Sequence, residues 1–192
     1  MKTIFHKIFL AAIFLAATLT AQAQPTIYLV RHAEKLAKWY DDEVLDDFHP
    51  LNAEGEARAK KLADQFAPGT ITAIFSSRTT RSLHTALPLS QKLNLPVEVV
   101  EACMDTTAIA AFYKKLSQRY KSGQAVVLVS HSNIIPYLLI KAGLAQSCFK
   151  EIGIKPSSPG EWLLIEGYDN IWKIEKLFAP RKNYEGFSRM KF

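Results

Sequence analysis

The chain has 192 residues, of which 48% are hydrophobic and 22% charged. That is the length of one ordinary domain with a globular composition, which excludes disorder and collagen-like structure. The formal net charge of +6 collects at the two ends: residues 24–172 carry 16 bases and 16 acids, so the body lacks the concentrated basic face of a nucleic-acid binder, and no nucleic-acid partner is expected.

In chain order, residues 1–23 predict a secretory signal peptide. Lys2 and Lys7 start it, an apolar run from Ile8 to Leu19 is broken only by Thr18, and Ala21-Gln22-Ala23 supplies the small residues read at cleavage. The run falls short of the roughly 20 residues that span a bilayer. Cleavage after Ala23 is expected, leaving 24–192 as one periplasmic or secreted domain with no stable membrane insertion. Cys103 and Cys148 are the only cysteines. An oxidising compartment would permit a disulfide between them, and two buried free thiols fit equally well.

Thr26 to Val30 predicts a buried strand ending on Arg31-His32. Residues 33–51 form an acidic loop (Asp41, Asp42, Glu43, Asp46, Asp47), with His49 expected to face solvent. Asn52 is a helix cap, followed by Glu54 and Glu56 in the first turn, and Pro68-Gly69 ends that helix. A second strand, Ile71 to Phe75, leads into Ser76-Ser77-Arg78 and a helix over about 79–93 carrying Arg81, His84, Thr85 and Pro88. Val97 to Val100 is a third strand. Ile109, Phe112, Tyr113, Leu116 and Tyr120 mark an amphipathic helix. Ala125 to Val129 is a fourth strand ending on Ser130-His131, with a helix over about 133–142 after it. Trp162–Ile165 and Ile171–Leu177 flank a turn at Gly167–Asn170 and predict a C-terminal antiparallel hairpin. Strands alternating with helices predict an α/β fold, a three-layer α/β/α sandwich on a mostly parallel sheet.

In such sheets ligands bind outside the carboxyl ends of the strands. There, His32 and His131 would meet Arg31, Arg78 and Arg81. No glycine-rich phosphate loop and no G-x-S-x-G elbow competes. Arginines beside both histidines would repel a cation, so no metal or other cofactor is expected. Two imidazoles with clustered guanidinium forks suit a phosphate: Arg binds its oxygens in a bidentate way, and a neutral imidazole can attack phosphorus.

Leu29-Val30-Arg31-His32-Ala33-Glu34 resembles the R-H-G-E signature of the histidine phosphatase superfamily, also called phosphoglycerate-mutase-like. Leu51-Asn52-Ala53-Glu54-Gly55-Glu56-Ala57 resembles its L-T-x-x-G-x-x-Q segment, Ser77 to Ala86 its S-x-x-x-R-x-x-x-T-A pattern, and Val129-Ser130-His131-Ser132 its second histidine motif. The resemblance spans nearly all of 26–177. It implies that His32 is the nucleophile, that Arg31 and Arg81 clamp the phosphate, and that His131 completes the pocket. Arg78 stands outside the family's arginine position; it is a further candidate for the phosphate, with a surface ion pair as the other reading.

Ala33 replaces the usual Gly, and Ser132 stands where the acid phytase-like branch has Asp, which points to the mutase-like branch 1. In that branch the proton donor is a Glu shortly after the third strand; here Asp105 falls at that place, with Glu101 as its rival. The expected function is an exported, metal-independent phosphomonoester hydrolase working through a phosphohistidine, with a small-molecule phosphomonoester as substrate. The alternatives are a non-catalytic phosphate or phosphoglycan binder on the same fold and a phosphoglycerate-mutase-type phosphotransferase.

Overall fold

The computed structural model describes residues 24–38, 46–175, 177 and 185–192. The expected signal peptide, Asp41, Asp42 and Glu43 of the acidic loop, and the tail residues Lys176, Arg181 and Lys182 lie outside them.

Four strands form a parallel block: β1 (Thr26–Arg31), β2 (Ala73–Ser76), β3 (Val97–Val99) and β4 (Ala125–Ser130). With β7 (Asn170–Ile174) and β8 (Phe187–Lys191) they make a six-stranded sheet in the order β3-β2-β4-β1-β7-β8. β7 runs antiparallel to both β1 and β8. The helices are α1 (Ala53–Asp64), α2 (Thr80–Leu93), α3 (Ile109–Arg119), α4 (Ile135–Lys141) and the short α5 (Phe149–Ile152).

The side-chain alternation along the central strands explains why both faces are covered. Ile27 and Leu29 of β1, with Val126 and Leu128 of β4, face a core that includes Ile109, Tyr113 and Leu116 of α3 and Leu138 and Leu139 of α4. Val30, Val127 and Val129 face the opposite core, with Leu62 of α1 and Ala86 and Leu89 of α2. Period-2 residues sent to two apolar layers make the α/β/α sandwich. Each buried aliphatic side chain contributes about 1.5–3 kcal/mol, so β1 and β4 are stiff mounts for whatever follows them. Cys103 and Cys148 are both buried and free, so the permitted disulfide is not formed.

An antiparallel hairpin is present near the C-terminus, with different partners from those expected. Leu163–Ile165 is strand β6, and it pairs with β5 (Ile154–Pro156) rather than with β7. β7 is drawn into the main sheet because Ile171, Trp172 and Ile174 are buried there beside β1. The tail then supplies β8 as an edge strand. Among the described residues no helix is long and apolar enough to cross a membrane.

Candidate active site

The parallel register of β1 and β4 builds the centre. Arg31 lies opposite Ser130, and the His32 amide donates to the Ser130 carbonyl at 2.8 Å. The residues that follow these strand ends, His32 and His131, therefore face each other with ring centroids 5.2 Å apart. β2 ends beside β4, where the Ser77 amide donates to Val129 at 3.3 Å, and its chain turns into α2, whose first turn carries Arg81. Five residues from three separate segments thus meet at one edge of the sheet.

Hydrogen bonds set the tautomers. The Nδ1–H of His32 donates to the Ala33 carbonyl at 2.8 Å, since a carbonyl only accepts. Nε2 of His32 is left with a lone pair. For His131, Nε2 lies 2.9 Å from Ser77 Oγ, Ser77 Oγ lies 3.1 Å from Thr79 Oγ1, and Thr79 donates to Ser82 Oγ at 3.0 Å. With Thr79 donating onward, Ser77 donates to Thr79 and accepts from His131, so His131 presents an N–H at Nε2. One imidazole keeps a lone pair at Nε2, and the other gives its Nε2–H to Ser77.

Both rings are neutral at pH 7. Burial pushes His32 down to about 3, against the Ala33 carbonyl, and the His131 ring and the Arg81 and Arg31 charges push the same way as burial. Burial, then Arg81 and Arg31, lower His131 to about 3.

Two guanidiniums flank the histidines. Arg31 stacks over the Tyr168 ring at 3.9 Å and donates to the Gly167 carbonyl at 3.2 Å and to Tyr168 Oη at 3.1 Å. Arg81 is 8% exposed, and its Nη1 donates to the Asp46 carbonyl at 2.7 Å. Nε of each arginine is buried and has no hydrogen-bond partner among the described residues. An unpaired buried N–H on a charged group costs free energy, which an acceptor oxygen would offset. A cavity of about 170 Å³ lies against Arg81 and His131, lined also by Asp47, Thr79, Met104, Asn133 and Ile134.

The segment after His32 is pinned from three sides. The Ala33 amide donates to Thr85 Oγ1 at 2.9 Å, and that hydroxyl donates to the Arg81 carbonyl at 2.7 Å. The Asn52 amide donates to the Glu34 carbonyl at 3.0 Å, while Asn52 Oδ1 caps α1 through the Gly55 amide at 2.8 Å. Gly55 is required there, because a Cβ on it would sit 2.2 Å from the Glu34 carbonyl oxygen. The Glu34 carboxylate takes Arg58 Nε at 2.7 Å and 2.8 Å, so this motif acid is a brace rather than a reacting group.

The other sequence candidates stand further out. Arg78 is 62% exposed and lies 3.9 Å from Asp47. Asp105 is exposed and caps a 3-10 turn, Thr106–Ala108; its Oδ1 accepts from the Thr107 amide and hydroxyl, both at 2.8 Å. Those bonds hold its pKa below the usual carboxylate value. Asp105 lines a second cavity adjoining the first through Met104, Asn133 and Ile134, and Glu101 lines neither. His49, expected to face solvent, is instead buried, with Nδ1 donating to the Leu36 carbonyl at 3.1 Å. His84 is exposed, in a groove between α1 and α2. Sequence reasoning missed Tyr168, which sits in a turn with no motif around it, and gave Ser77 no role. No group of three or more His, Cys, Asp or Glu placed to hold a metal occurs among the described residues.

The fold is that of several solved structures. A protein histidine phosphatase, SixA, complexed with tungstate is 18% identical, with 86% of this chain and 96% of that one covered at a TM-score of 0.58. The alpha-ribazole phosphatase from Shigella flexneri is 15% identical, covering 87% and 95% with a TM-score of 0.55. A mycobacterial glucosyl-3-phosphoglycerate phosphatase is 14% identical, covering 88% and 97% with a TM-score of 0.54. No curated protein matches the chain in sequence. Residues 27–108, which include the first histidine, the pinning residues Asn52, Gly55 and Thr85, and Asp105, match the model of the histidine phosphatase superfamily, branch 1; β4, outside that match, brings the second histidine to the same sheet edge.

Proposed function

We propose that the protein hydrolyses phosphomonoesters through a phosphohistidine on His32, without a metal. The observation that carries this reading is the pair of buried, unpartnered Nε–H groups of Arg31 and Arg81 beside a neutral His32. The arginines bind two phosphate oxygens, and His131, neutral and held through Nε2 by Ser77, faces His32 beside them. Nε2 of His32 attacks phosphorus in line, the P–N bond forms, and the P–O bond to the leaving group breaks. The leaving alkoxide takes a proton from a carboxylic acid, for which Asp105 is the candidate. Water then attacks the phosphohistidine, the P–N bond breaks, inorganic phosphate leaves, and the water's proton restores the acid. Charge that develops on the phosphoryl oxygens meets fixed, buried donors.

A binder would be served best by a charged imidazolium; a neutral ring with its free lone pair turned away from the Ala33 carbonyl favours catalysis. The charged, apolar and A-x-A pattern of residues 1–23 supports action in the periplasm or outside the cell. The test is a rapid quench into base with labelled substrate. A phosphohistidine survives base, and the label is expected on the peptide holding Arg31 and His32 and absent in His32→Ala. Equal labelling of wild type and His32→Ala would overturn the reading.

A further inference from the structure

The second cavity describes the leaving group. It measures about 370 Å³ and is lined by Met104, Asp105, Thr106, Asn133, Ile134, Tyr137 and Trp162, which puts it at the small end of ligand cavities, roughly 300–1,000 Å³. It adjoins the cavity at Arg81 and His131 through Met104, Asn133 and Ile134. A group esterified to a phosphate held there extends into it.

Trp162 is the unusual part of this wall. Its side chain is 53% exposed, among the few large apolar side chains left open to solvent. Its backbone is fixed: its amide donates to Ser157 Oγ at 3.2 Å and its carbonyl accepts from the Ser157 amide at 2.7 Å. The hairpin that carries it is tied to the catalytic loop, because the Ile165 amide donates to the Ser132 carbonyl at 3.0 Å, one residue after His131. The Leu163 amide meets Tyr137 Oη at 3.4 Å. An indole held open on a braced hairpin beside a reactive centre is a stacking platform.

The rest of the lining chooses what stacks. Asp105 carries the only charge among these residues, and it is negative. Thr106, Asn133 and Tyr137 supply the other polar groups of the lining. A leaving group with its own carboxylate finds no cationic partner in this lining. A nucleobase gains most when sandwiched between two apolar faces, and four of the seven lining residues, Asp105, Thr106, Asn133 and Tyr137, carry polar groups. A sugar ring fits: its C–H face lies on the indole, and its hydroxyls pair with the carboxylate, amide and hydroxyls.

We infer that Trp162 and its neighbours form the leaving-group subsite and that the substrates are neutral sugar monophosphates. This rests on the phosphatase reading above. Its test uses residues 24–192 with four phosphates: a hexose 6-phosphate, 3-phosphoglycerate, a nucleoside 5′-monophosphate and acetyl phosphate, whose leaving group carries no ring to stack on Trp162. The hexose phosphate is expected to exceed 3-phosphoglycerate and the nucleotide in kcat/KM by about tenfold or more. In Trp162→Ala the ratio of hexose phosphate to acetyl phosphate in kcat/KM falls about five- to twentyfold, through KM, and Trp162→Phe restores most of it. Turnover of acetyl phosphate with no sugar preference, a preference for the nucleotide, or an unchanged ratio in Trp162→Ala overturns the subsite and spares the phosphatase. No turnover of any of the four, with no label on His32, overturns the phosphatase reading instead. Calorimetry of the hexose phosphate with His32→Ala reads the subsite without turnover: binding weakened about fivefold or more by adding Trp162→Ala supports it, and no binding at millimolar ligand overturns it.

Discussion

Asp46 holds Arg81 twice at the same nitrogen: its backbone carbonyl accepts from Nη1 at 2.7 Å and its carboxylate lies 3.1 Å away. The carboxylate is an anion resting where an incoming phosphate needs the guanidinium, and Lys35 pairs with it as well. Its side chain is 58% exposed, so the contact is weak and easily exchanged. Asp46→Asn keeps the backbone contact and removes the competing charge. Inhibition by vanadate is expected to tighten about two- to fivefold, by measured Ki. A weaker Ki in the variant would show that Asp46 helps to hold Arg81 in place rather than competing for it.

Arg81 and Arg78 separate by burial. Arg81→Lys keeps one charge and loses the planar fork with its vacant Nε–H. The loss of that charge-assisted contact is worth about 1.5–3 kcal/mol, or about 10- to 150-fold in kcat/KM. Arg78→Lys, on a side chain that is 62% exposed, is expected to change kcat/KM by less than about threefold. Equal losses at both positions would contradict this division of roles.

The two histidines make stability depend on pH. Each has a folded-state pKa near 3, lowered mainly by burial, against an ordinary value of about 6.5 in the unfolded chain. Above pH 6.5 both states are neutral and no penalty exists. As pH falls from 6.5 toward 3, the unfolded chain takes up protons that the folded one refuses, so stability drops. The slope is at most about 1.4 kcal/mol per pH unit for each imidazole. Urea unfolding at pH 7 and pH 5 is expected to show a shallower loss for His131→Asn than for wild type. An identical loss in the variant would mean that His131 titrates normally in the folded protein.

Much of this site is legible in the sequence because it sits at the ends of buried strands. All six residues of β4 are buried, so an apolar run that stops at Ser130-His131 marks both a strand and where it opens onto a ligand. Asn52 announces its helix, and it caps as its side chain predicts. The hairpin partners were not legible: Lys155 and Pro156 disguise β5 as loop, and whether Leu163–Ile165 joins it or β7 depends on burial far along the chain. β8 has only Phe187 buried, so no periodicity betrays it. The part of Asp46 was hidden for another reason. An acid in a polar loop looks solvated until the loop is folded onto Arg81.

Asp105 can be tested by leaving group. In the free protein its bonds to Thr107 favour the ionised form, so it acts as an acid only if the bound phosphate dianion raises its pKa. Asp105→Asn keeps an oxygen for the Thr107 amide, and the fold is expected to survive. Activity on alkyl phosphates should fall about 100-fold or more, while p-nitrophenyl phosphate, whose leaving group needs no proton, should lose only a few-fold. Equal losses on both, or none, would release Asp105 from this part and make Glu101 the next acid to substitute.

Gly55 shows how far a lesion in this protein can act along the chain. It touches no atom of the reactive centre, yet a methyl group on it would collide with the backbone of Glu34, two residues past His32. Backbone cannot swing aside as a long side chain can, so the helix start and the nucleophile's loop are in effect one machined joint. Variants that abolish turnover are therefore expected to map to a position on the first helix, 23 residues from His32 in the sequence, and purification of a folded but inactive Gly55→Ala protein would look, without the structure, like the loss of a substrate contact.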